Sequence, residues 1–552
     1  MEHARIAVLA WAIVVGSALN GIPSRMKAQA FDTSKAVATV NDDSTSFFRI
    51  RAEAMDHSQV MDLTSWLSDV YGPRLTGSPD LRAAAAWATR KMNEWRLGNV
   101  HLEAWGPFGR GWANESFSLQ AVSPRHYPII AYPSAWTPSV TGSTTSTKSG
   151  ESGPVTAEVV FAPMDSVADF AKYHGRLRGK FVMPERPRDL TPHFRPDATR
   201  MSDSMLARMS APRPAGAPDA RAGVFANMIA THRAQAALDH ARSRFLTAEG
   251  ATAALLDGEG DDGTVIVESQ GGSRDARAGA LTPTVVLGAE DYGRLARTLE
   301  KGVPVTLKLD DQNRFYDNDP NSFNIIAEIP GSDPALKDQV VMIGAHFDSW
   351  HAATGAADNA AGSAVMMEAM RILKAARIPL KRTVRIALWT GEEQGMLGSR
   401  AYVVKHFADP TVMQLEPEHA KFDVYFNLDN GSGKIRGVFL QGNAAIKPIF
   451  DAWMEPFKGD GMRTLTLGGT GFTDFMSFDA VGLPAFQFIQ DPLDYNSRAH
   501  HSNMDTYERV QADDMKWNAM VIATFAMQAA NRLELVPRKP LPAPAPFSMS
   551  GR

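Results

Sequence analysis

Short apolar segments alternate with helical patterns in the C-terminal part of the chain, and this alternation restricts the fold more than any other feature. The segments NIIAEIP, VVMIGAH, TVRIALWT and FDVYFNLD are typical of strands. Helical spacing of apolar residues covers about 359–377 and 395–407 between them, and about 444–457 and 511–533 beside the further strands GVFLQG and LPAFQFIQ. Strands alternating with helices predict an α/β fold, here a mixed, mostly parallel, twisted sheet flanked by helices.

A different pattern occupies the region from about residue 125 to 315. Short apolar runs, among them Val155–Phe161, Ala253–Leu256 and Thr284–Leu287, alternate with loops, which predicts an inserted β-rich domain, called the insert below. Within it, Thr191–Pro218 lacks periodicity and is predicted to be a long surface loop or lid. The predicted organisation is a signal peptide at 1–30, an N-terminal helical part of the catalytic domain at 57–124, the insert at 125–315, the catalytic domain at 322–534 and a Pro-rich tail at 535–552.

The first residues have the features of a secretory signal. Arg5 precedes an apolar run from Ile6 to Leu19, which is too short to span a bilayer comfortably. Ala28-Gln29-Ala30 offers a cleavage site and Gly16-Ser17-Ala18 a competing one, with an uncleaved anchor as the alternative. These residues predict an exported protein, secreted or periplasmic.

Composition limits the chemistry and the partners. The chain has no cysteine among its 552 residues, so thiol catalysis and disulfides are excluded and metal ligands are restricted to His, Asp and Glu. A net charge of −4 without a long basic run argues against nucleic acid as a partner. Small substrates or peptides fit this composition better, and the oligomeric state is left open.

Histidines and acids cluster where the predicted strands end, and the carboxyl ends of strands are where α/β folds place active residues. Several carboxylates at one sheet edge repel one another unless a cation joins them. Oxygen and imidazole ligands without sulfur suit Zn²⁺, Mn²⁺ or Co²⁺, and two ions about 3.5–4 Å apart can share one carboxylate. A Glu-Glu pair can supply one metal ligand and one general acid/base. The positions concerned are His346, Asp348, Asp358, Glu392, Glu393, Asp429, His500 and His501.

The motifs HFD, GAADNAAG, GEEQGMLGS, NLDN and HHSNMDT follow one another in this order. This series resembles the M28 family of dizinc peptidases, and the stretch DSWHAATGAADN is most similar to the plasma glutamate carboxypeptidase-like branch. The resemblance covers roughly residues 322–532. The order of five motifs is more specific than any one of them. It implies a zinc-exopeptidase-like fold for the α/β region.

The resemblance implies a metal centre of two Zn²⁺ ions, for which Mn²⁺ or Co²⁺ could substitute. Asp358 would bridge the ions, Glu392 would be the general acid/base, and Asp348 would orient a ligand histidine. The implied ligands are His346, Asp358, Glu393, Asp429 and His501.

Two adjacent histidines compete for the last ligand position. His501 is preferred because Ser502-Asn503-Met504-Asp505-Thr506 follows it directly, as the family's T/S-x-x-D-T pattern requires. Some relatives place a tyrosine before this histidine to stabilise the oxyanion, and this chain has His500 there. His500 or Tyr495 is therefore the candidate oxyanion donor. His351 is interpreted as a loop histidine near the cleft, in preference to a ligand.

The insert resembles a protease-associated domain in the segments GRLRGKFVMPERP and TPTVVLGAEDYGRLARTLEKG. The resemblance implies that it lies over the catalytic cleft and shapes substrate access without carrying chemistry.

The sequence as a whole predicts an exported two-metal exopeptidase acting on a peptide or dipeptide, either an aminopeptidase or a carboxypeptidase or dipeptidase. Arg498 and Arg463 are candidate binders of a substrate carboxylate, although a solvated surface role is favoured for each. Two alternatives stand beside this interpretation. One is glutaminyl cyclase-type acyl transfer with a single zinc ion, and the other is a non-catalytic binding protein on the same scaffold.

Overall fold

A computed structural model of the protein describes residues 44–140, 153–211 and 220–546, with the backbone alone for residues 220–233. The predicted signal peptide, residues 1–30, lies outside these described residues, as does the end of the Pro-rich tail from residue 547. Over the described ranges, no helix has both the length and the apolar character needed to cross a bilayer.

Helices and strands alternate along most of the described chain. The α-helices are Ser44–Asp56, Val60–Ser65, Pro79–Glu94, Asp203–Ser210, Ala220–Glu249, Ala289–Glu300, Ala361–Ala375, Leu397–His406, Lys447–Trp453, Phe475–Asp479 and Ala512–Asn531, with π-helical turns at Trp66–Val70, Ala356–Ala360 and Tyr495–Ala499. The strands are β1 (Gly98–Trp105), β2 (Gly111–Ser123), β3 (Tyr127–Pro128), β4 (Ala131–Pro133), β5 (Val155–Phe161), β6 (Phe181–Met183), β7 (Ala253–Asp257), β8 (Thr284–Leu287), β9 (Thr306–Tyr316), β10 (Ser322–Ile329), β11 (Val340–His346), β12 (Thr383–Trp389), β13 (Phe422–Asn427), β14 (Ile435–Phe439), β15 (Thr464–Thr466) and β16 (Ala485–Gln490).

The first of two eight-stranded sheets, called the catalytic sheet below, has the order β1-β10-β12-β11-β13-β16-β14-β15. Its centre is parallel, since β12, β11, β13 and β16 all run in one direction, while β10 and β14 join it as antiparallel neighbours. Every residue of β13 and of β16 is buried, as expected for parallel strands covered on both faces. The predicted mixed, mostly parallel sheet flanked by helices is confirmed.

Each face of the catalytic sheet has its own apolar core. Val341, Ile343 and Ala345 pack on one face with the helices Ala361–Ala375 and Ala512–Asn531. Met342, which lies between Val341 and Ile343 in the strand, packs on the other face with aromatic residues such as Tyr402 and Phe478, from the helices Leu397–His406 and Phe475–Asp479. Successive side chains of a strand point to opposite faces, so this single apolar run serves both cores. The sandwiching helices hold the parallel strands, and therefore their ends, in fixed register.

The second sheet has the order β3-β2-β9-β5-β6-β7-β8-β4, and its strands lie between residues 111 and 316. Its core includes Leu119, Phe181, Leu255 and Leu307. The sequence predicts residues 57–124 as helical, but β1 and β2 are strands within that range. In β2, Leu119 and Ala121 alternate with more exposed neighbours and pack into the core of the second sheet. This alternation has the period of two residues that is typical of a strand. The sheet is consistent with an insert, and its identity as a protease-associated domain stays a prediction.

The predicted loop Thr191–Pro218 contains one α-helix that the sequence does not predict. The helix Asp203–Ser210 begins after Ser202, whose side chain accepts a hydrogen bond from the Met205 amide. A serine at this position is a common helix start signal. Residues 212–219 of the predicted loop lie outside the described residues.

Candidate metal centre

The parallel strands deliver the predicted site residues to one edge of the catalytic sheet. His346 is the last residue of β11, Glu392 and Glu393 follow β12, and Asp429 follows β13. His501 comes after β16 and the π-helical turn Tyr495–Ala499. Asp358 lies in the turn Ala356–Ala360, directly before the helix Ala361–Ala375. The structure thus brings all five predicted ligands together.

The ligand atoms form two sets that share Asp358. In the first set, His346 Nε2 lies 3.1 Å from Asp429 Oδ1 and 3.2 Å from Asp358 Oδ1. In the second set, His501 Nε2 lies 3.0 Å from Glu393 Oε2 and 3.6 Å from Asp358 Oδ2. Two ligands of a tetrahedral zinc ion, each about 2.0–2.1 Å from it, lie about 3.3 Å apart. The spacing in both sets fits zinc, and the two oxygens of Asp358 face different sets, as a bridging carboxylate requires.

The electrostatics of the cluster also fit a cation. Burial raises the pKa of Glu393 to about 7, and the neighbouring charge of Asp358 adds to the effect. Burial would raise the pKa of Asp358 too, but the hydrogen bond from His346 and the charge of His501 outweigh it, so that this pKa is lowered. Asp358 Oδ2 and Glu393 Oε1 are buried, and neither has a hydrogen-bond partner among the described residues. Buried carboxylate oxygens without partners are costly, and metal ions would satisfy them.

Glu392 lies close to His346 and Asp429 of the first set, and it is not part of the second set, which contains His501. A carboxylate oxygen of Glu392 and the ligand atoms of His346 and Asp429 lie within 4.8 Å of one another. Burial raises the pKa of Glu392 well above its ordinary value, although the charge of His346 opposes this shift. The Glu392 carboxyl is therefore close enough to exchange a proton with a molecule held at the first set.

Asp348 touches both His346 and the turn that carries Glu392. Its backbone carbonyl accepts a hydrogen bond from His346 Nδ1 at 2.9 Å, while its carboxylate Oδ1 is 3.7 Å from the same nitrogen. The carboxylate accepts from Thr76 Oγ1 at 2.8 Å and from the Glu392 amide at 3.3 Å. The backbone of Asp348 thus sets the direction of the His346 ring, and its side chain holds the glutamate turn.

The other two histidines near the centre have distinct surroundings. His500 stacks on His501 with ring centroids 3.7 Å apart, and Tyr495 contacts it edge-on at 5.1 Å. Burial lowers the pKa of His500 to about 4, with the charge of His501 contributing, so the ring is neutral near pH 7. His351 Nε2 pairs with the Pro133 carbonyl at 2.8 Å. It lies outside the two ligand sets, as a loop histidine would.

Four residues at the site are not among the predicted site residues. Arg74 and Asp505 hold the turn around Asp358, Glu268 of the insert contacts His501, and Asp474 is buried near Glu392. The Asp505 carboxylate accepts from the amides of Ala357 and Asp358 at 2.6 and 3.0 Å. The signal for Asp505 was present in the Ser502–Thr506 pattern. Arg74 and Glu268 have no such local signal, because their contacts with Gly355 and His501 join residues hundreds of positions apart.

Arg74 is buried and donates hydrogen bonds to several backbone carbonyls, which are those of Leu67, Phe347, Thr354 and Gly355. We expect Arg74→Met to lower the free energy of unfolding by about 3 kcal/mol or more, because each buried carbonyl left without a donor costs about 1–3 kcal/mol. Thermal unfolding of the full chain measures the change. Arg82→Met is the matched control, since Arg82 forms an exposed ion pair with Asp319. Equal midpoints for the two variants would contradict the role of Arg74.

Both arginines considered as carboxylate binders are engaged elsewhere. Arg498 bonds Asp197 Oδ2 at 2.8 Å and Thr264 Oγ1 at 2.7 Å, and Arg463 donates to the Lys458 carbonyl. The Thr199 amide also bonds the Leu493 carbonyl at 2.9 Å. Arg498 therefore ties the predicted loop of the insert to the catalytic part, and its guanidinium group is occupied by these protein contacts.

Comparisons with known proteins show that the chain is similar to known peptidases. Peptidase family M28 matches residues 324–526. Carboxypeptidase Q of Pongo abelii is 24% identical over 525 residues, which cover 94% of each chain. The crystal structure of a peptidase M28 precursor from Shewanella amazonensis has a TM-score of 0.61 at 22% identity and covers 90% of this chain and 98% of its own.

A zinc aminopeptidase from Bacillus subtilis has a TM-score of 0.50 at 19% identity, covering 84% of this chain and 93% of its own. At these identities the two solved structures support the fold. The family match spans β10 to the last helix and includes every predicted ligand. Residues 324–526 therefore match peptidase family M28, and the predicted resemblance to that family of metallopeptidases is confirmed.

Proposed function

We propose that this protein is an exported two-metal exopeptidase that hydrolyses the peptide bond at one end of a peptide or dipeptide. The observation that carries the proposal is the position of Asp358, whose two oxygens face separate ligand sets. The similarity to carboxypeptidase Q along 94% of the chain favours a carboxypeptidase or dipeptidase over an aminopeptidase. Export rests on the sequence of residues 1–30.

In the proposed mechanism, His346, Asp358 and Asp429 would hold one zinc ion, and His501, Glu393 and Asp358 the other. Bound zinc supplies Lewis acidity, which polarises a carbonyl group and makes water more acidic. Glu392 accepts a proton from the attacking water and then donates it to the leaving amine. The buried environment of Glu392 suits both steps, because it favours the protonated carboxyl between them.

Asp348 and His500 would assist without holding metal. Asp348 fixes the His346 ring and the turn of Glu392 through its two sets of contacts. His500 is held neutral by burial, so one of its ring nitrogens carries a hydrogen that can be donated to an oxyanion. Tyr495, which contacts His500, is the other candidate for this role.

Cleavage of a mixed library of peptides and dipeptides tests the proposal. We expect the full chain to shorten peptides at one terminus or to split dipeptides, to lose this activity with a chelator, and to regain it with Zn²⁺, because buried carboxylates such as Asp358 require a cation. Mass spectrometry of the products gives the cleaved end. Cleavage inside long peptides or activity unaffected by a chelator would overturn the proposal. Cyclisation of N-terminal glutamine would indicate the cyclase alternative, and binding without turnover the non-catalytic one.

A further inference from the structure

The insert reaches the metal centre through a short segment, Val265–Glu268, called the docking segment below. Ile266 forms an antiparallel bridge with Ser502. The Val267 amide donates to the His501 carbonyl at 2.8 Å, and the Asn503 amide donates to the Val265 carbonyl at 3.1 Å. The Asn503 side chain also accepts from the Val265 amide at 2.7 Å. The docking segment therefore pairs with the backbone of a predicted metal ligand.

Glu268, at the end of the docking segment, contacts the imidazole of that ligand. Its Oε2 lies 2.6 Å from His501 Nδ1, while His501 Nε2 faces Glu393 Oε2 at 3.0 Å on the opposite side of the ring. An imidazole that donates Nδ1–H to a carboxylate keeps its lone pair on Nε2, which is the form that binds a metal. The carboxylate also makes the ring a stronger ligand.

The two predicted histidine ligands are oriented in different ways. His346 Nδ1 bonds the carbonyl of Asp348, two residues along the same chain segment. His501 has a positive φ of 55° and follows the π-helical turn Tyr495–Ala499, so its local backbone is not a regular element. Its orienting carboxylate comes from a segment of the other sheet region, 233 residues away in sequence. The His501 side of the centre thus depends on the docking of the insert.

We propose that Glu268 is a positioning residue for His501, so that the insert completes the second metal site as well as covering the cleft. This inference rests on the proposed function, since it assigns His501 to a metal. It differs from the expectation that the insert only shapes substrate access. Glu268 acts through the imidazole of His501, and its side chain is 46% exposed, so its replacement removes the hydrogen bond to His501 and little packing.

Metal affinity of the full-length protein tests the proposal. The metal-free chain is titrated with Zn²⁺ against a chromogenic chelator, and with Co²⁺ while the visible spectrum is recorded. We expect Glu268→Ala to weaken one of two zinc sites about 10–100-fold, the usual cost of losing such a partner, and to shift the Co²⁺ bands of that site. The other site, held by His346 and Asp429, should keep its affinity and thereby reports that the variant is folded.

Two further variants distinguish a positioning role of Glu268 from a general effect on the fold of the insert. Glu268→Gln keeps a carbonyl oxygen that can accept from His501 Nδ1, so we expect it to recover most of the affinity. Glu290→Ala is the matched control, because Glu290 is an exposed acid of the insert that pairs with Arg297. Two unchanged zinc sites in Glu268→Ala, or a Gln variant as weak as the Ala variant, would overturn this inference alone. A wild-type chain that binds fewer than two zinc ions would overturn the metal centre itself.

Discussion

Glu392→Gln is expected to retain both metal ions and to lose about 10²–10⁴-fold in kcat, the usual contribution of a general acid/base. Glutamine has nearly the shape of glutamate but cannot take a proton from water or return it to the leaving amine. Glu392 lies beside His346 and Asp429 and is outside the set of His501, so metal content should not change. Steady-state kinetics on a peptide identified from the library, with metal analysis of the same sample, measures both quantities.

The adjacent residue supplies the matched comparison. Glu393→Gln alters a side chain 3.0 Å from His501 Nε2, and we expect it to weaken metal binding at the second set because the amide is a poorer ligand than the carboxylate. The two variants differ by one position in the same turn and should fail for different reasons. Near-native turnover in Glu392→Gln, or loss of metal from it with metal retained in Glu393→Gln, would contradict the assignment of the two roles.

Asp358→Ala is expected to release both metal ions, which is the largest change in metal content of any single substitution at the centre. Among the described residues, Asp358 is the one carboxylate with an oxygen at each ligand set. Its removal would leave each set one ligand short and would also remove the negative charge between the two proposed cations, so that their mutual repulsion would no longer be offset. Metal analysis after dialysis, with circular dichroism as the check on folding, measures the result.

A variant of one set gives the control for this prediction. Asp429→Ala affects a side chain that contacts His346 but lies outside the His501 set, so we expect it to lose one ion and keep the other. If Asp358→Ala binds one ion with unchanged affinity, Asp358 serves a single metal and the bridging geometry is incorrect. Retention of both ions would place the metal ligands elsewhere.

The strand ends were predictable because the carboxyl ends of parallel strands share one edge of a sheet. That rule needs only the order of apolar runs and the residues that follow them, and it selected His346, Glu393 and Asp429 without any knowledge of their distances. The choice of His501 over His500 needed the resemblance to a family. The structure is consistent with it, since His501 Nε2 faces Glu393 and Asp358, while His500 stacks beside it.

The supporting contacts could not be predicted in the same way. Arg74 bonds carbonyls about 270–280 residues later in the chain, and Glu268 contacts His501 across 233 residues. Neither contact follows from periodicity, because each depends on how two separate elements pack. The strand β2 was not predicted for another reason. Its alternation of Leu119 and Ala121 with more exposed neighbours is short, and it lies within a region predicted to be helical.

The pairing of β2 with β9 bears on how such proteins arise. Gly111 lies opposite Tyr316, and in the neighbouring sheet Trp105 lies opposite Ser322, so the chain leaves the catalytic sheet and returns to it at adjacent points. A gene segment encoding everything between them could be gained or exchanged in evolution without breaking a strand of the catalytic sheet. A lineage that gained this segment could then come to depend on Glu268 for the orientation of His501. Deletion of the segment would then also disturb the metal centre.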